Sequence, residues 1–113
     1  MVKWDRERKL KYDFNAIVDF EKVYGQALTD ISIATAGFFA IQCLAWAGLN
    51  AGIPEGEPKL TLQETGEILQ AAFDSKAITM KSIGADFGAA LKECGLFQTD
   101  GKKAGNAKAG TPK

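Results

Sequence analysis

The chain has 113 residues, room for one small hydrophobic core, and its 14 Lys and Arg balance 14 Asp and Glu to a formal net charge of zero. A second domain is therefore not expected, and the basic footprint that nucleic-acid binding needs is missing, so nucleic acid is not expected as a partner. Histidine does not occur, which removes the commonest general base, the usual zinc ligand and every His-dependent nucleophilic triad.

The opening MVKWDRERKLKYDF is charged and has no apolar signal core, which predicts a cytoplasmic protein. Residues 2–4 and 9–14 alternate polar with apolar around the charged turn Asp5-Arg6-Glu7-Arg8, the period-two pattern of a short hairpin. The second run puts Leu10, Tyr12 and Phe14 on one face. A two-stranded hairpin is marginal alone, so that face should lie on helices, forming a unit with Phe20 and Tyr24. Asn15 is a good N-cap for a first helix in which Ile17, Phe20, Val23 and Tyr24 recur at helical spacing opposite Asp19, Glu21 and Lys22. Gly25 suits its C′ position.

Residues 31–54 contain no charged side chain. With Asp30 or Ser32 as cap, a second helix is expected over residues 33–49, a length of about 25 Å at 1.5 Å per residue and short of a 30 Å bilayer core. Its polar Thr35, Gln42 and Asn50, and the acids Asp30 and Glu55 on its flanks, also argue against a membrane span, which usually shows a Lys/Arg bias at one end. A helix apolar on all sides is buried on all sides. Ala36, Gly37, Ala40, Ala45, Ala47 and Gly48 would admit close neighbours, while Leu44 and Trp46 would fill the core. In so small a domain the other elements cannot cover every face, so Phe38, Phe39, Ile41, Leu49 and Ile53 are the candidate partner-binding residues, and self-association is expected.

The stretch NAGIPEGEPKL (50–60) is a connector with two prolines and two glycines. Thr61 and Glu64 then have the spacing of a capping box, starting a third helix whose buried stripe is Leu62, Thr65, Leu69, Ala72 and Phe73, with Ile68 beside it. Asp74 or Ser75 begins a fourth, with Met80, Ile83, Phe87, Leu91 and Cys94 on its apolar face, Gly95 at its end and Leu96 folding back in a Schellman ending. Gly84 and Gly88 make a GxxxG spacing that, among Lys81, Asp86 and Lys92, reads as close helix packing. The predicted fold is mainly α: one four-helix domain with an N-terminal β-hairpin over residues 1–97, then a flexible, disordered tail over 98–113, where TDGKKAGNAKAGTPK has nothing to build a core.

No GxxxxGK[ST], GxGxxG or Cys-x-x-Cys occurs, and the carboxylates at helix starts and on solvated faces are explained by capping and solubility. Cys43 and Cys94 read as small buried hydrophobes rather than a disulfide. An enzyme is not expected, nor a catalytic, cofactor-binding or metal site.

The succession KYDFNAIVDFEKVYGQAL (11–28), LAWAGLNAG (44–52) and LTLQETGEIL (60–69) resembles the small phage tail assembly chaperones and gene-transfer-agent-associated proteins, over residues 11–69. The loop IPEGEPK (53–59) and the apolar residues 31–36 depart from that pattern. The resemblance implies a non-catalytic protein of a tailed phage or prophage. It would bind the tape measure protein in the host cytoplasm and keep it soluble, with the tail tube protein as a further partner, and it would be absent from the mature virion. It also implies a longer product made by ribosomal frameshifting, for which the codons of Gly101 to Lys103 would be the slip site. The alternatives are a structural virion component (a head-tail connector or minor tail protein) and a membrane-associated phage protein using residues 31–54.

Overall fold

The structure, a computed structural model, describes residues 1–30 and 37–96. In chain order it has β1 (Val2–Lys3), β2 (Glu7–Arg8), α1 (Phe14–Tyr24), a single 3-10 turn (Leu28–Asp30), α2 (Phe38–Ala51), α3 (Leu62–Asp74) and α4 (Met80–Cys94). The architecture is the expected one of four helices and a short N-terminal antiparallel hairpin. The second helix starts later than expected, at Phe38 with the extended Gly37 (φ −75°, ψ 175°) as its N-cap instead of at residue 33, and runs on to Ala51. The Ser32 cap, the tail over 98–113 and the slip site at 101–103 lie outside the described residues.

The hairpin is shorter than its sequence pattern. Val2 pairs with Arg8 and Lys3 with Glu7, and the turn is closed by a bidentate pair in which Arg8 donates Nε to Asp5 Oδ1 at 2.6 Å and Nη2 to Asp5 Oδ2 at 2.8 Å. That pairing holds the Asp5 carboxyl below and the Arg8 guanidinium above their ordinary values. Residues 9–13 are not in the ladder. They keep the alternation of a strand, with Leu10 and Tyr12 buried and Lys9 and Lys11 exposed, but the Lys11 amide donates to the Gly48 carbonyl of α2 at 3.1 Å. A period-two pattern sets which side chains face the core and leaves open what the backbone pairs with. The alternation ends at Phe14, which begins α1 and is 70% exposed.

Helix α1 is capped two residues earlier than expected. Asp13 is extended (φ −138°, ψ −178°) and its carboxylate accepts the Ala16 amide at 2.8 Å, so Asp13 is the N-cap and Asn15 falls inside the first turn. Gly25 ends the helix as expected, in the left-handed region at φ 88°, where a side chain would be strained.

Helix α2 is the centre of the molecule, packed between α1 and α3. Ala40, Ile41, Cys43, Leu44, Ala45, Ala47, Gly48 and Leu49 are all buried. Gly48 is required by close approach: a Cβ there would lie 2.6 Å from both Leu10 Cδ1 and Tyr12 Cζ. Above it the buried Tyr12 hydroxyl donates to the Leu44 carbonyl at 2.6 Å. Trp46, expected inside, is half-buried at the edge of the core. Its indole N–H donates to the Leu60 carbonyl at 2.9 Å, while Asn50 donates to that same carbonyl and accepts the Leu60 amide, so the two side chains tie down the connector. No helix among the described residues is long and apolar enough to cross a membrane.

In α3 the capping box forms in both directions, at 2.9 and 3.0 Å, and Thr65, Ile68, Leu69 and Ala72 are buried. Helix α4 starts later than expected. Asp74 closes α3, Ser75 caps its C-terminus, Lys76 turns the chain at φ 63°, buried Ile78 plugs the corner, and Thr79 caps α4 in a reciprocal pair with Ser82. Only Ile83, Phe87 and Ala90 of α4 are fully buried, and Met80 is exposed. Nothing lies within 4 Å of a Cβ added at Gly88, so the GxxxG spacing does not mark a close helix contact at that glycine. Gly95 ends α4 at φ 78°, but Leu96 stays half exposed instead of folding back. What fastens α4 is the hairpin: Trp4 is 2% exposed, donates its indole N–H to Asp86 Oδ2 at 3.0 Å and meets the Phe87 ring edge-to-face at 6.2 Å.

Candidate functional site

An apolar groove of about 510 Å³ opens where α2 crosses α3, closed at one end by the start of α4. Its walls are Phe38, Ile41 and Gln42 from α2, Gly66, Leu69, Gln70 and Phe73 from α3, and Met80 from α4. The crossing is set by Gly66 and Gln42. Gln42 donates its amide to the Leu62 carbonyl at 2.7 Å, and a Cβ at residue 66 would stand 2.8 Å from that amide nitrogen. Gln70 is occupied along its own helix, donating to Asp74 at 2.9 Å. Among the described residues the walls carry no ionisable group, so the groove favours apolar or neutral partners.

The five candidate partner-binding residues do not form one surface. Phe38 is 78% exposed on the groove rim, and Phe39 beside it is 51% exposed, its ring 5.9 Å from Tyr24. Ile41 is buried and forms part of the groove wall. Leu49 is buried in the core, about 12 Å further along α2 by the helical rise. Ile53 is half-buried beyond the helix end, beside a small opening shared with Arg6, Glu57 and Leu60. Leu49 is thus corrected to a core position, and Ile41 is a core residue that also lines the groove, because the hairpin segment, α1 and α3 together cover more of the charge-free helix than its neighbours' lengths suggest. The groove residues missed by sequence reasoning are Gln42, Gly66, Leu69, Gln70, Phe73 and Met80. Leu69, Phe73 and Met80 were all assigned to core stripes, and only the angle between α2 and α3 decides which part of a stripe is left open.

Elsewhere the chemistry is quiet. Cys43 is buried, which pushes its thiol up, and Cys94 is half-buried with its Sγ 2.9 Å from the Leu91 carbonyl; both are free. Among the described residues no group of three or more His, Cys, Asp or Glu side chains is placed to hold a metal ion. What the arrangement offers is a neutral, apolar slot with an aromatic and a methionine at its mouth, suited to a helix laid along it. In comparisons with known protein families, curated proteins and solved structures, none matches this chain.

Proposed function

We propose that the protein is a non-catalytic tail assembly chaperone of a tailed phage or prophage, which binds the tape measure protein and keeps it soluble in the host cytoplasm until tail tube subunits enclose it. The observation that supports this reading is the uncharged groove between α2 and α3, with Phe38 and Met80 exposed at its mouth. An amphipathic client helix places apolar side chains at i, i+3, i+4 and i+7, the spacing that fills such a groove.

The size of the surface favours reversible binding. With side-chain areas on the order of 200 Å², the exposed parts of those two residues amount to roughly 250 Å² of apolar surface. Covering it yields about 6 kcal/mol before the association cost of about 4–15 kcal/mol is subtracted. One groove alone holds a client weakly, whereas several copies along a long helical client hold it by multivalency and leave one at a time.

Co-expression tests the proposal. A tape measure protein from the genome that encodes this chain should stay in the supernatant with the wild-type chain and sediment with Phe38→Asp. Purified particles should lack the protein. Its presence there in stoichiometric amount would support the structural-component reading instead.

A further inference from the structure

The groove between α2 and α3 has two unlike banks. On α2 the bank is aromatic, and residues 38–51 carry no charged side chain. On α3 it is acidic. Gly66, Gln70 and Phe73 line the groove, and the residues one position before the first and last of them, Thr65 and Ala72, are fully buried. Successive helical residues are turned by about 100°, so the residues one position after them, Glu67 and Asp74, fall on the solvent side of the same wall, and both are exposed. We propose that the helix this groove takes is a basic one, apolar along one face, with Lys or Arg at two positions about seven residues apart on the flank that meets α3. The inference rests on the reading of the groove as a helix-binding site and adds the chemistry of its partner.

Glu67 and Asp74 stand two turns apart, about 10.5 Å by the helical rise, and with Gly66 and Phe73 facing the partner they take the flanking positions at which charges set partner choice between paired helices. Gln70, on the wall between them, donates to Asp74 Oδ1 at 2.9 Å, which holds that carboxylate on the groove side of the helix. Helix α3 has a third acid, Glu64, and no Lys or Arg, so this helix is acidic although the whole chain is neutral. Of the cations near it in sequence, Lys59 donates to the Asn50 and Ile53 carbonyls at the far end of α2. Lys76 and Lys81 belong to the turn after α3 and to the first turn of α4, at the closed end with Met80 and not along the bank. A helix lying in the groove therefore runs one flank past acids alone, which favours cations there and rejects carboxylates.

Three synthetic helical peptides test this, identical in a Leu- and Ala-rich face and differing only at the two flank positions, which hold Lys, Gln or Glu. In NMR titrations of the full chain the Gly66 and Phe73 amides should shift. The Lys peptide should bind about fivefold more tightly than the Gln peptide, and the Glu peptide more weakly than either, with the differences lost in about 1 M salt. Glu67→Lys/Asp74→Lys, at exposed positions, should reverse the order while the fold stays intact. Equal binding of all three peptides, still abolished by Phe38→Asp, would overturn the basic partner and leave the groove a helix-binding site. Binding by none of them, or binding indifferent to Phe38→Asp, would overturn the groove reading and this inference with it.

Discussion

Replacing Gly48 by alanine sets two effects of opposite sign against each other. In an exposed helix interior the change stabilises by about 1 kcal/mol through propensity. At Gly48 the new methyl would meet Leu10 Cδ1 at 2.6 Å, Tyr12 Cζ at 2.6 Å and the Tyr12 hydroxyl at 2.7 Å. Both side chains are buried, so neither has free space to retreat into. Overpacking of this kind costs about 1–3 kcal/mol. Displacing the Tyr12 ring also breaks its bond to the Leu44 carbonyl and leaves a buried phenol unpaired, a further cost of about 1–3 kcal/mol. The net expectation is a loss of roughly 2–3 kcal/mol, or about 10–20 °C in Tm for a domain of this size. Gly88→Ala is the control, because that glycine faces open space on α4 and the same substitution should there raise stability by about 0.5–1 kcal/mol. Urea titrations of both variants measure the difference. A Gly48→Ala protein as stable as the wild type would show that segment 9–13 does not sit on α2 as described.

The other expectations are smaller in scope. Burial keeps the Tyr12 phenol protonated well above the ordinary tyrosine range. The native state therefore holds a proton that the unfolded chain releases near pH 10, and stability should be level below about that pH and fall as pH rises beyond it. Tyr12→Phe should be about 1 kcal/mol less stable at pH 7 and show a flatter decline at high pH, read by denaturant midpoints across pH 7–11. Trp4→Ala should cost about 3–5 kcal/mol, and deletion of residues 1–8 should also destabilise the chain. Unchanged thermal unfolding after the deletion would mean that the hairpin does not hold α4. Phe38→Asp should leave stability within about 0.5 kcal/mol because the ring is mostly in solvent, whereas Ile41→Asp should unfold the protein; comparing their circular dichroism melts separates rim from wall.

Helix existence and several helix ends were legible because their signals are local. A capping box needs only Thr61 and Glu64 three residues apart, and a left-handed C′ position needs only Gly25 or Gly95, so neither depends on the rest of the fold. Starts were less secure where several cap residues compete: Asp13 prevailed over Asn15, and Thr79 over Asp74 and Ser75, because the geometry of the preceding segment fixes which residue can be extended. The central place of α2 also followed from sequence, since a helix without charges has no face to give to water. What tertiary structure alone decided was coverage. Trp4 reaches Asp86 across 82 positions of chain, and Gly48 is crossed by Leu10 and Tyr12 from nearly 40 positions away. The same distance in sequence hides the groove, because Phe38, Phe73 and Met80 each look like core when read along their own helices. Periodicity determines which side of a helix is apolar; only the crossing of α2 and α3, and the point where α4 begins, determines how much of that side finds a neighbour and how much is left open.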